Sequence, residues 1–108
     1  MASLSAANYV AFRNSLPRAM TAVPTSLTDI CTSDAYIFQV HVSNTTAGAL
    51  TFLLQDKQGT PGQLTPTVSI AANTAYILAW PEGQFAEDGI SVQGSGAGLQ
   101  VAFVGSYK

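Results

Sequence analysis

The sequence predicts an all-β fold: a single antiparallel β-sandwich, jelly-roll-like, preceded by an N-terminal arm. Three observations carry this. Apolar and polar residues alternate with period two through several runs of the chain. Turn-forming clusters recur roughly every 8 to 15 residues, the spacing of short strands in a sandwich or barrel. After residue 20 no segment repeats its apolar side chains at helical spacing.

Taken in chain order, residues 1–21 read as the arm and residues 22–108 as the sandwich domain. In the arm, Tyr9, Phe12 and Leu16 would share a helical face, whereas Val10 and Phe12 would share a strand face, so its conformation stays open. Pro17 and Pro24 oppose a helix beyond residue 16, because proline lacks the N–H and clashes with the preceding turn. Ser26 to Thr32, with Leu27 and Ile30, reads as a further strand. The clearest strand follows, with Tyr36, Phe38, Val40 and Val42 on one face and Ile37, Gln39, His41 and Ser43 on the other. Asn44-Thr45-Thr46-Ala47-Gly48 supplies turn chemistry, and Leu50, Phe52 and Leu54 then alternate with Thr51, Leu53 and Gln55, which reads as the second arm of a hairpin.

Lys57 to Gln63 combines two glycines and a proline with no apolar side chain and reads as a mobile loop that Pro66 ends. Val68 and Ile70 mark a short strand, and the turn Ala71-Ala72-Asn73-Thr74 leads into Ala75 to Trp80, expected as its antiparallel partner. Pro81 is expected to stop that strand, with a turn at Glu82-Gly83-Gln84. The last hairpin is expected to pair Ile90 to Gln93 with Leu99 to Tyr107, whose Leu99, Val101, Phe103 and Tyr107 face together.

Composition narrows the functional classes. The chain has 108 residues, 47% hydrophobic and 9% charged, against about a quarter charged in an ordinary soluble domain. Folding would reduce its surface from about 16,000 to about 5,700 Å², enough to bury one core. The polar surface must therefore be mostly neutral, built from Thr, Ser, Gln and Asn. Four Lys and Arg stand against six Asp and Glu. Arg13, Arg18, Lys57 and Lys108 are scattered, so the clustered cations that nucleic acid requires are missing. No apolar run approaches the ~18 residues of a membrane span, and the start, Met1 to Ser5, lacks a basic and then apolar leader. Neither a membrane partner nor a secretory route is expected. Cys31 stands alone, which leaves no internal disulfide or Cys-based zinc cluster and suits synthesis in a reducing cytoplasm.

Candidate chemistry is thin. His41 has no Gly-x-Ser-x-Gly elbow to serve and reads as a strand-surface or interface residue. Cys31 has no nearby cation to lower its pKa and reads as a core residue. Glu87-Asp88-Gly89 lacks the further oxygen ligands of a calcium loop and reads as a solvated turn. Gly94 to Gly98 lacks the Gly-Lys-Ser/Thr of a phosphate loop, and Asn44-Thr45-Thr46 matches the glycosylation pattern without a route to it. Tyr76 and Trp80 would form a sugar-stacking shelf if exposed, or fill a core or interface if not. No catalytic residue, cofactor or metal is expected, and the chain reads as a non-enzyme.

The anomaly lies in the faces. Apolar residues back one another at Ile37 and Phe38, Phe52 and Leu53, and Phe103 and Val104, and few strands carry the Lys or Pro that guards an edge. One sandwich cannot hide both faces, so a self-associating structural protein is expected, with Tyr9, Phe12, Leu16 and Met20 of the arm reaching a neighbouring subunit.

Asn44-Thr45-Thr46-Ala47-Gly48-Ala49-Leu50-Thr51, Ser69-Ile70-Ala71-Ala72-Asn73-Thr74 and Gly89 to Leu99 follow one another in an order that resembles small β-sandwich structural proteins of tailed-bacteriophage virions. The likeness spans about residues 36 to 108. It implies a virion component made in the host cytoplasm: a capsid decoration or cement protein, or a tail or neck subunit. It further implies a homo-oligomer, trimeric or higher, that contacts other virion proteins such as the major capsid protein. A carbohydrate- or receptor-binding module of a phage tail, using Tyr76 and Trp80, is the alternative.

Overall fold

The computed structural model describes residues 12–56, 62–64 and 67–108. Among them there is no helix. Ten strands run in chain order: β1 (Asn14–Ser15), β2 (Thr21–Ala22), β3 (Thr28–Cys31), β4 (Ala35–Asn44), β5 (Leu50–Asp56), β6 (Gly62–Gln63), β7 (Val68–Ile70), β8 (Thr74–Ala86), β9 (Ile90–Gly94) and β10 (Leu99–Tyr107). They form two antiparallel sheets. The first has the order β1-β10-β4-β8, with β2 also on β10; the second has the order β3-β9-β5-β6, with β7 also on β5. Because β1 and β2 share one edge of β10, and β6 and β7 share one edge of β5, each sheet has four strand positions. The chain crosses between sheets at every connection except those within the β1–β2 and β5–β6–β7 edges. That is the connectivity of a jelly roll, as expected.

The crossing corrects the expected hairpins. β4 and β5 lie in different sheets, as do β7 and β8, and β9 and β10. Turn residues allow a reversal but do not say whether the chain turns along a sheet or over its end; the inward-facing residues decide. At the β4–β5 connection Asn44 points into the sandwich, where its Nδ2 donates to the carbonyls of Gly48 and Ile70, each at 2.9 Å. Its Oδ1 accepts from Thr46 N at 2.9 Å and Thr46 Oγ1 at 2.7 Å. These bonds tie the end of β4 to β7 across the molecule and make the turn an arch.

The core between the sheets is built from Leu16, Ile37, Val40, Val42, Phe52, Leu54, Ile70, Ile90, Val92, Leu99, Val101 and Phe103, all at most 2% exposed. The alternations foreseen in β5 and β10 hold. The face assigned to β4 holds only from Val40 onward: Ile37 is in the core and Phe38 is 38% exposed. Its pairing skips Phe38 against both neighbours, with Val104 opposite Gln39 and Gly105 opposite Ile37 on one side, and Ala79 opposite Gln39 and Gln84 opposite Ile37 on the other. Such a bulge shifts the period by one residue and exchanges the faces. On β8 the same irregularity takes up Trp80 to Gly83, so Pro81 interrupts the strand without ending it. A side chain on Gly105 would run into the carbonyl of Tyr36 and lie 2.9 Å from Leu16 Cδ1, so the strands meet closely there only because this residue is glycine.

The described part of the arm is extended and belongs to the sandwich. Leu16 N donates to Gly105 O at 3.1 Å, Phe103 N to Pro17 O at 2.7 Å, and Val23 N to Leu99 O at 3.0 Å. Leu16, expected at a subunit contact, is 1% exposed in the chain's own core. Pro17 has no N–H to give the ladder and joins this edge through its carbonyl. The assignments to Tyr9 and Val10, and to Lys57–Pro61 and Pro66, lie outside the described residues; Gly62 and Gln63 pair with β5.

Candidate functional site

The two sheets turn different outer surfaces to their surroundings. Directly opposed residues of paired strands share a face, so the registers generate the outer face of the first sheet row by row. Ala75 of β8 lies beside Ser43, Gln100 and Ala22; Ile77 beside His41 and Ala102; Ala79 beside Gln39 and Val104. At the far end Phe85 lies beside Tyr36 and Ser106. None of these rows contains Asp, Glu, Lys or Arg. Ile77 is 59% exposed, Met20 44% and Val104 40%.

The far end is aromatic. Phe12 meets Tyr36 edge-on with ring centroids 5.3 Å apart, and Tyr36 meets Phe85 at 5.4 Å. Phe38 joins them because the bulge turns it outward, and it lies so close to Gly83 that an added Cβ would sit 3.0 Å from its ring. Gly83 has a φ of 84°, a backbone state that glycine adopts freely, so the excursion in β8 brings bare backbone beneath that ring.

Between these ends lies an open depression of about 340 Å³ lined by Arg18, Met20, His41, Ala102, Phe103 and Val104. Arg18 is its only permanently charged lining residue. The ring of His41 shares a hydrogen bond between Nε2 and Gln39 Oε1 at 2.9 Å. No carboxylate lines the depression. This floor is suited to contact with a neutral surface.

The second sheet's outer face is polar by contrast. Thr51 lies beside Ser69, and Gln55 beside Ser91 and then Asp29. Ser91 Oγ donates to Asp29 Oδ1 at 2.7 Å, Gln93 Nε2 to Thr25 O at 3.2 Å, and Thr51 N to Ser95 Oγ at 2.8 Å. Leu53 is half-buried, and Leu27, just before β3, is 48% exposed.

The other sequence candidates are dispersed. Of the arm residues, Met20 lies on the apolar face and Phe12 at its aromatic end. Trp80 is partly buried and packs against the core, while Tyr76 is 41% exposed at the β8 edge. Cys31 is buried, with its thiol 3.6 Å from Ser33 O. Asn44 is buried with both amide hydrogens engaged, so its glycosylation pattern presents no free acceptor nitrogen. Glu87-Asp88-Gly89 joins β8 to β9, and Asp88 N donates to Asp34 Oδ1 at 3.0 Å. This bond, aided by Lys108 Nζ at 3.3 Å from Oδ2, holds the Asp34 carboxyl below its ordinary range. No group of three His, Cys, Asp or Glu side chains suited to a metal occurs among the described residues.

Sequence reasoning found the doubled apolar faces but missed their concentration on one sheet, and it missed Ile77 altogether. The alternating Ala75-Ile77-Ala79 was a legible signal for the latter. Comparison with known proteins finds no matching family model, no matching curated protein and no matching solved structure.

Proposed function

We propose that the chain is a non-enzymatic structural subunit of a virion, one that self-associates and binds the capsid surface as a decoration or cement protein or forms part of the tail or neck. A jelly roll by itself supports many functions. The observation that carries this reading is the largely apolar outer face of the β1-β10-β4-β8 sheet, on which Met20, Phe38, Ile77, Phe85 and Val104 all stand exposed, with Arg18 beside its depression and Lys108 over the ring of Phe12. A solitary soluble domain rarely keeps so many large apolar side chains on one flat surface. Covering that face releases its hydration water at about 25 cal/mol per Å² of apolar area, and repetition over many copies multiplies weak contacts into firm attachment. The motif order over about residues 36 to 108, which resembles that of small virion β-sandwich proteins, is in keeping with this role.

Sedimentation velocity at rising concentration tests the reading. Reversible assembly is expected, and replacing Ile77 by Lys, which places an ammonium at the most exposed apolar position of the face, is expected to weaken it while leaving the circular dichroism spectrum unchanged. A single monomeric species at every concentration overturns self-association.

A further inference from the structure

The edges of the two sheets are protected unequally. The β1–β2 edge is broken by Pro17 and flanked by exposed Arg13 and Arg18. β3 has four residues, includes Asp29 and shifts register at Ile30, while β6 and β7 have two and three residues. Short strands, charges, prolines and bulges are the devices that stop edges from pairing. β8 has thirteen residues and, among the described residues, pairs only with β4. From Thr74 to Ala79 it runs in unbroken register along Asn44 to Gln39, without charge or proline. Such an edge leaves alternate backbone N–H and C=O groups aimed outward, and a strand is what satisfies a row of them.

We infer that β8 strands of two copies of this chain pair antiparallel about a two-fold axis at Ile77, joining their first sheets into one continuous sheet. The inference rests on the self-association reading and names its contact. A two-fold axis makes an edge strand meet itself, so any charge on it would face its own kind or a near neighbour. Thr74 to Ala79 meets that condition because it has none. With Ile77 opposite Ile77, Ala75 lies opposite Ala79 and Tyr76 opposite Leu78. Residues of the outer face meet residues of the outer face, so two apolar surfaces become one. The alanines leave room for the isoleucine pair, the most exposed large apolar side chain in the described structure. Centring the axis on Leu78 would run the ladder into the Trp80–Gly83 excursion. Centring it on Tyr76 also fits five residues, Thr74 to Leu78, but sets Ile77 opposite Ala75 and leaves Ala79 without a partner.

Opposed Cα atoms in an antiparallel pair are about 4.5 to 5.5 Å apart, within reach of a disulfide. Air oxidation of Ile77→Cys is therefore expected to give a covalent dimer on non-reducing gels. Val104→Cys, on the same face but two strands inward, and the wild-type chain with Cys31 only 6% exposed, are expected to give none. Ile77→Lys, which places two ammonium groups on the axis, is expected to reduce self-association at least tenfold without changing the thermal midpoint. If the wild-type chain sediments as a monomer throughout, both self-association and this contact fall. If it associates while Ile77→Cys does not crosslink, or Val104→Cys crosslinks equally well, the β8 contact alone is overturned.

Discussion

Asn44 illustrates how much one side chain can organise. It is 1% exposed, and its amide uses both donor hydrogens and both acceptor positions inside the protein. Replacement by Ala takes that partner from the buried Ile70 carbonyl, at a cost of about 1–3 kcal/mol, while the exposed Gly48 carbonyl keeps the Thr46 hydroxyl. Asn44→Asp should cost more, because it turns a carboxylate toward two carbonyl oxygens. Urea unfolding should rank the three proteins wild type, Ala, Asp in falling stability. Gly105→Ala should lose about 1–3 kcal/mol in the same assay, since the added methyl must displace Tyr36 backbone or Leu16. Asp34 has a depressed folded pKa, so its contribution is present above the unfolded carboxyl value and is lost as pH falls through the folded one. Acid titration should show stability declining below about pH 4, and Asp34→Asn should remove part of that slope. The pair with Lys108 is partly exposed, so the effect should stay below about 1 kcal/mol.

The strands were legible in sequence wherever one face alone is buried. Phe52 and Leu54 in β5, and Leu99, Val101 and Phe103 in β10, alternate cleanly because those positions fill the core. β4 was half legible: Tyr36 and Phe38 look equivalent to Val40 and Val42 in a list of residues, and only the bulge opposite Gly105 exchanges their faces. Pairing was not legible, because Asn-Thr-Thr-Ala-Gly suits a hairpin and an arch equally. The arm was open between helix and strand because its conformation is set by a partner, β10, more than eighty residues away in sequence at Asn14–Tyr107. Leu16→Ala should therefore act as a core truncation and cost about 2–5 kcal/mol in urea unfolding. An effect confined to association would contradict its burial.

At the scale of the whole molecule, the sandwich has one wet side and one dry side. The candidate face was legible only in part, as an excess of apolar residues, because sequence alternation counts outward positions without saying which sheet they share. The connectivity has a consequence for how the molecule comes to exist. β10 is the last strand in chain order, yet it lies between the β1–β2 edge and β4, and β9 likewise lies between β3 and β5. β4 can pair with β8, and β5 with β6 and β7, but neither layer can be completed from early neighbours: β1, β2 and β3 must wait, unzipped, until their closing strands arrive. Stopped-flow refolding should accordingly fall in the milliseconds-to-seconds regime of high contact-order β proteins.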